Sequence, residues 1–171
     1  ILFLDGDDYW DDLSALYQIK QELEKGHFST DVMLFQAKLL YPDGTLLSDR
    51  GKFIDTFFEM DRTEQLEYMS ANGLLIGSAC SKVVKREFIR KNHLYFKEGL
   101  KSEDIDWIIR VADCLPKYQY TDQYFYIYRR GRCGSITSNV DEAYLNQFME
   151  MLRGFISYNY TSERVRRCLL G

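Results

Sequence analysis

The sequence predicts a mixed α/β protein in which strands and helices alternate along a single domain of 171 residues. Short apolar or aromatic runs of strand length alternate with segments whose apolar residues recur at helical spacing. The hydrophobic fraction of 46% and the charged fraction of 28% are typical of a globular chain of this length. The chain has only two Pro and no repeated or low-complexity segment, which indicates a domain without an internal linker.

The first two elements are predicted to be a buried strand and an amphipathic helix. Residues 1–4 are an all-apolar run before a charged turn, which is typical of a central strand covered on both faces. The helix that follows is expected to have acidic residues near its positive N-terminal end and Gly26 at its C-terminal end. Its inner face is predicted to carry Leu13, Leu16, Tyr17 and Leu23.

A hairpin and a capped helix are predicted next. The segment "DVMLFQAKLLYPDGTLL" (residues 31–47) contains two strand-like runs joined by a Pro-Asp-Gly turn. The segment "DRTEQLEYMSANG" (residues 61–73) places Asp61 as helix N-cap, Glu64 at the capping-box position and Gly73 as the stop. These signals are local, so they predict both elements without reference to the rest of the fold.

Five further elements are expected from residue 74 onward. Residues 74–96 are predicted to form a strand, a turn around Ser81 and Lys82, and a basic helix. An aromatic strand is predicted at residues 117–130 and an amphipathic helix at residues 140–160. Between them, a helix is expected to begin at Ser102, and its inward stripe is predicted to contain Ile105, Ile108, Ile109 and Ala112.

Composition and charge argue against several classes of protein. A net charge of −4 gives no general reason to bind nucleic acid, and no apolar run approaches the roughly 18 residues of a membrane span. The four Cys are scattered, so we expect reduced thiols, with neither a disulfide framework nor a zinc site. A cytoplasmic location is expected, either free or peripheral at the inner face of the membrane.

The first residue, Ile1, already lies inside the predicted first strand, without an initiator Met. We therefore expect this sequence to be a piece of a longer protein. An interrupted sheet would expose a strand edge and apolar surface, and from this we expect a homo-oligomer.

An acidic cluster, "DGDDYWDD" (residues 5–12), directly follows the predicted first strand. In open α/β sheets ligands bind where strands end, and a divalent cation relieves the repulsion between neighbouring carboxylates. The simplest alternative is a solvated acidic loop that caps the next helix. An EF-hand loop is excluded because Trp10 and Leu16 stand where Gly and Glu are required. A haloacid-dehalogenase-type phosphatase remains an alternative, although Tyr9 departs from its motif.

Four segments together resemble glycosyltransferase family 2, whose members have the GT-A fold. They are, in the order of that family, "FLDGDDYW", "SKVVKREFI", "EGLKSEDIDW" and "YIYRRGRCGSIT". The resemblance implies the C-terminal, acceptor-side part of a GT-A fold, without the N-terminal nucleotide-binding half. It also implies a nucleotide-sugar donor and a glycan or lipid-linked acceptor.

The resemblance also implies roles for particular residues. Asp5 and Asp7 match the D-x-D motif, which holds Mg²⁺ or Mn²⁺ on the donor diphosphate with Asp5 near the ribose, and Asp8 supports them. Glu103 and Asp104 match the family's E-D pair, in which the Asp is the general base of an inverting transfer.

Basic residues complete the implied site. Arg129, Arg130 and Arg132 flank a turn that folds over the donor diphosphate in the family, and Lys82 is expected to reach phosphate or acceptor. Two alternatives remain open for these motifs. The acidic residues near Asp104 could simply decorate a helix start, and the whole chain could be a binding module without catalysis.

Overall fold

The computed structural model describes residues 1–26, 29–48, 53–75, 78–131 and 141–170. The strands are β1 (Tyr9–Trp10), β2 (Val32–Leu40), β3 (Leu46–Ser48), β4 (Lys82–Val84) and β5 (Tyr118–Arg129). The helices are α1 (Ala15–Lys25), α2 (Arg62–Ala71), α3 (Arg86–Lys91), α4 (Glu103–Asp113), α5 (Glu142–Ile156) and α6 (Glu163–Leu170). Short 3₁₀ turns at Asp55–Glu59 and Ala79–Ser81 lie between them.

The described strands form one mixed sheet around the parallel pair of β2 and β5. Their register runs from Val32 opposite Tyr118 to Leu40 opposite Arg129. β1 pairs antiparallel with β5, while β3 and β4 pair antiparallel with β2. The carboxyl ends of β2 and β5 therefore lie side by side. The pairing of β1 with β5 brings residues 5–8, the acidic segment before β1, close to this edge.

Helices pack on both faces of the sheet because successive side chains of β2 point to opposite sides. Val32 and Leu34 belong to the main core, together with residues of α2, α4 and α6. Met33 and Phe35 belong to a second cluster with Ala15 and Ile19 of α1. All six strand and α1 residues are at most 2% exposed, which explains the continuous apolar sequence of β2.

The locally coded elements are confirmed. Residues 40–46 form the hairpin turn between β2 and β3, where Gly44 has φ +85°. Helix α2 has the full capping box: Asp61 accepts hydrogen bonds from the Thr63 and Glu64 amides, and Glu64 accepts one from the Asp61 amide. Gly73 follows the helix with φ +65°, a conformation that favours glycine.

The prediction of a fully buried first strand is wrong. Of residues 1–4, only Leu2 forms a bridge, to Val83, and Ile1 and Leu4 are 47% and 48% exposed. The strand expected in residues 74–96 is also displaced. Leu74 and Leu75 are buried but not in a strand, and β4 begins at Lys82, after the turn.

The inner face of α1 differs from the one predicted. Leu13 precedes the helix and is fully exposed, and Leu16 and Tyr17 are more than half exposed. The buried residues are Ala15 and Ile19. Of the predicted residues, Leu23 is partly buried against the same cluster. In α4, Ile108 and Ala112 are buried as expected, whereas Ile105 and Ile109 are half-buried.

Among the described residues, no helix is both long enough and apolar enough to cross a membrane. The expected homo-oligomer and cytoplasmic location stay predictions.

Candidate active site

The acidic segment before β1 is fastened to the end of β5 through Asp8. The Tyr126 hydroxyl donates to Asp8 Oδ2 at 2.6 Å, and the Arg129 amide donates to Asp8 Oδ1 at 2.9 Å. Both carboxylate oxygens of Asp8 are thus engaged within the protein. Asp5 and Asp7 are exposed. The supporting role expected for Asp8 stays a prediction.

Tyr126 is a site residue that the sequence did not reveal. Its side chain is 2% exposed, and its hydroxyl oxygen also accepts a long hydrogen bond of 3.4 Å from the Asp5 amide. The buried Cys80 lies nearby. Burial is the largest cause that raises the pKa of its thiol, with a smaller lowering by Tyr126 and a smaller raising by the Asp5 charge. The only sequence signal for Tyr126 is its place in the aromatic strand, three residues before Arg129.

The start of α4 brings the E-D pair to the acidic segment. Glu103 is exposed and Asp104 half-buried in the first turn of the helix. Burial and the negative charges of Asp104 and Asp8 raise the pKa of Asp5, and Glu103 contributes in the same direction. The two acidic motifs are far apart in sequence, so this electrostatic coupling shows that the fold brings them together.

The carboxylates of this site suit a hard divalent cation. Within the described ranges, no three His, Cys, Asp or Glu side chains come close enough together to hold a metal by themselves. Mg²⁺ is commonly held by one or two carboxylates, with substrate phosphates and water completing its coordination. Burial, and after it the negative charges of Asp104 and Asp8, raise the pKa of Asp5, and a bound cation would relieve the repulsion between these carboxylates. Cation binding by Asp5 and Asp7 stays a prediction.

Among the predicted basic residues, Arg129 is held against the acidic segment. Its Nη1 donates to the Asp7 carbonyl at 3.4 Å. The Arg130 guanidinium lies over the ring of Tyr128, 5.2 Å from its centroid. Lys82 is 3% exposed and donates to the Ser78 carbonyl at 3.0 Å. The roles expected for these three residues stay predictions, and Arg132 and residues 133–137 lie outside the described residues.

Asp106 and Trp107, which follow the E-D pair, are both structural. Asp106 is fully buried and paired with Lys97 and Arg110. Trp107 is 1% exposed and donates through Nε1 to the Leu94 carbonyl. The sequence places Asp106 in an acidic helix start, where an exposed side chain is expected. In the structure its carboxylate is instead buried inside the protein.

The fold of the chain is a mixed α/β fold of the GT-A type, shared with glycosyltransferases of known structure. Three crystal structures of Staphylococcus aureus TarS show this likeness. TarS 1–349 in complex with UDP-GlcNAc has a TM-score of 0.64 at 18% sequence identity, over 99% of this chain and 46% of that one. TarS 1–349 alone has a TM-score of 0.59 at 17% identity, over 99% and 44%. A further TarS structure has a TM-score of 0.57 at 15% identity, over 97% of this chain and 26% of that one.

The chain therefore spans less than half the length of the TarS chains it resembles. No protein-family model matches the sequence, and comparison with curated proteins gives no match. At these sequence identities the likeness establishes the fold, which confirms the fold class expected from the sequence.

Proposed function

We propose that this chain forms the acceptor-side part of a metal-dependent, inverting glycosyltransferase of family 2 that uses a nucleotide-diphosphate sugar. The observation that carries the proposal is that Asp104 lies close enough to Asp5 for its charge to raise the pKa of Asp5, after the larger effect of burial. This closeness supports a single acidic site made from the D-x-D motif and the E-D pair. The fold supports it as well, since TarS with the same fold has been crystallised with the nucleotide sugar UDP-GlcNAc.

Asp5 and Asp7 are the residues that would hold Mg²⁺ or Mn²⁺ in this proposal. When bound, such a cation neutralises negative charge that develops on the diphosphate leaving group. Arg129 is held on the Asp7 carbonyl and would present its guanidinium to the same diphosphate. Asp8, with both carboxylate oxygens engaged by β5, would keep the segment in place.

Asp104 would be the general base. It stands in the first turn of α4, at the positive end of the helix dipole, and it is half-buried beside the acidic segment. In the reaction it would accept the proton of an acceptor hydroxyl as the oxygen attacks the anomeric carbon. The bond to the diphosphate breaks in the same step, so a single displacement inverts the anomeric centre. Glu103 would reinforce the negative potential beside this base.

No observation in the described residues favours the phosphatase alternative, in which Asp5 would be a nucleophile. The remaining alternative is a binding module that lacks catalysis. Turnover distinguishes that module from an enzyme, because a module could bind a nucleotide sugar without cleaving it.

The test uses the protein at its full native length, with nucleotide sugars and Mn²⁺, and measures release of the nucleoside diphosphate. We expect metal-dependent turnover, and we expect Asp104→Asn to lower kcat by at least about a hundredfold, since general bases typically contribute that much. Glu163→Gln is the matched control, because it removes a first-turn carboxylate from another helix, α6. Metal-dependent turnover that survives Asp104→Asn would contradict the assigned base, and no turnover of any nucleotide sugar would contradict the enzyme.

For residues 1–171 alone we expect only weak donor binding. The contacts to the nucleobase and ribose of the donor are expected from the N-terminal half that the resemblance places before residue 1. Titration of this chain with UDP and Mn²⁺ measures that affinity, and micromolar binding would contradict the expectation.

A further inference from the structure

Groups from three parts of the chain lie around the Tyr126 hydroxyl. This hydroxyl donates to Asp8 Oδ2 at 2.6 Å and accepts from the Asp5 amide at 3.4 Å, and the buried Cys80 lies near it. Asp5 and Asp8 belong to the acidic segment, Cys80 precedes β4, and Tyr126 itself is near the end of β5. A single buried atom thus connects parts of the chain that are remote in sequence.

The Tyr126 hydroxyl donates a short hydrogen bond to Asp8 Oδ2, at 2.6 Å. Asp8 is half-buried, and its second oxygen is taken by the Arg129 amide. The Asp8 carboxylate therefore has two hydrogen-bond partners, both on β5, and these partners determine its position.

The same connection sets the position of Arg129. The Arg129 amide holds Asp8, while its guanidinium reaches the Asp7 carbonyl. Any displacement of Asp8 would therefore shift the Asp7 backbone and the Arg129 side chain together. Those are the groups that would surround a metal-bound diphosphate in the proposed function.

We infer that Tyr126 is a positioning residue for the metal and donor diphosphate, holding Asp8 so that Asp5, Asp7 and Arg129 keep the arrangement that binds them. The inference rests on the proposed function. Residues that orient metal ligands commonly change metal affinity or activity by tenfold to a hundredfold when they are replaced. Tyr126 acts through Asp8 and does not itself need to touch the ligand.

The experiment compares Tyr126→Phe with Tyr124→Phe in the full-length protein. Tyr124 lies on the same strand, and its hydroxyl is paired with Ser48 Oγ at 2.8 Å, so the control removes one hydroxyl of matched chemistry. Mn²⁺ dependence and KM for the nucleotide sugar are measured first. Binding of UDP with Mn²⁺ is then measured by calorimetry, which needs no turnover.

We expect Tyr126→Phe to raise the half-saturating Mn²⁺ concentration by about tenfold and to raise KM more than it lowers kcat. Tyr124→Phe is expected to match the wild type in both. A purely structural role would lower the melting temperature of Tyr126→Phe without changing its Mn²⁺ dependence, and that result would overturn the inference.

The outcomes also separate this inference from the proposed function. If the wild type turns over donor and Tyr126→Phe retains its Mn²⁺ dependence and KM, the inference fails and the function stands. If the wild type has no turnover, the proposed function fails, and calorimetry then decides the inference. UDP and Mn²⁺ bound more weakly by Tyr126→Phe would support it, whereas equal affinity or no binding by the wild type would overturn it.

Discussion

Asp106 anchors the first turn of α4, the turn that also carries Asp104. The buried carboxylate accepts from Lys97 Nζ at 2.6 Å and from Arg110 Nε at 2.8 Å. Arg110 in turn donates to the Tyr95 carbonyl at 2.7 Å. The start of the helix is thus tied to the loop before it, and a buried charge of this kind is tolerated only because it is paired.

We predict that Asp106→Ala lowers the free energy of unfolding by about 3 kcal/mol, because Arg110 would remain largely buried without its carboxylate partner. Urea denaturation followed by circular dichroism measures the change. Asp55→Ala, an exposed carboxylate in a 3₁₀ turn, is the control and should have little effect. A loss for Asp106→Ala no larger than that of the control would contradict the anchoring role.

At the scale of single residues, sequence patterns indicated candidate residues but not the surroundings of each side chain. The D-x-D and E-D motifs indicated Asp5 and Asp104, and the structure couples them. The same patterns could not show that Asp106 is buried, because its partner Lys97 lies in a loop with no periodic signal. Tyr126 was missed for a similar reason, since its contact with Asp8 depends on how β1 and β5 pair.

Among the helices, α2 has the most complete local signal. The Asp61 side chain accepts from the Thr63 and Glu64 amides, and these hydrogen bonds favour the carboxylate form. The backbone hydrogen bond from Glu64, the largest cause, holds the pKa of Asp61 below its usual value of 3.8. A group whose native pKa is depressed contributes stability above its ordinary pKa and loses it as the pH falls through the native value.

We therefore predict that Asp61→Ala lowers the melting temperature by about 2–4 °C at pH 7, through the loss of one N-cap. The difference between variant and wild type should shrink as the pH falls below 3.8, where the wild-type carboxyl is increasingly protonated. Calorimetric melting at several pH values measures both effects. Asp122→Ala, an exposed strand residue, is the control. A difference that stays constant down to pH 2 would contradict the capping mechanism.

Helices, strands and turns were predictable where their sequence signals are local. They were less predictable where packing against the sheet determines the buried face or the position of an element. The capping box at Asp61 and the turn at Gly44 depend on residues a few positions apart, and both are found as expected. For α1, periodicity indicated an apolar stripe but not which side meets the sheet, and the exposed Leu16 and Tyr17 show the error. The position of β4 likewise depends on its pairing with β2.

Over the whole molecule, the main core is completed by the last helix, α6. Val165 is fully buried in that core, although four of the eight α6 residues are charged and give little local signal. Arg164 forms a two-pronged ion pair with Glu67 of α2, at 2.6 and 2.7 Å. Thr161, just before the helix, donates to the buried Asp113 at the end of α4. Helix α6 therefore fastens α2 to the helix that carries the E-D pair.

We predict that Val165→Ala lowers the free energy of unfolding by about 2 kcal/mol, because it removes two buried methyl groups and leaves a cavity in the main core. Arg167→Ala, an exposed position on the same helix, is the control and should change stability little. Urea denaturation of the two variants gives the comparison. Since α6 also packs against α4, we expect hydrogen exchange of the α4 amides to accelerate in Val165→Ala as well. Equal stability of the two variants would mean that α6 lies on the surface of the fold without supporting the helix of the proposed base.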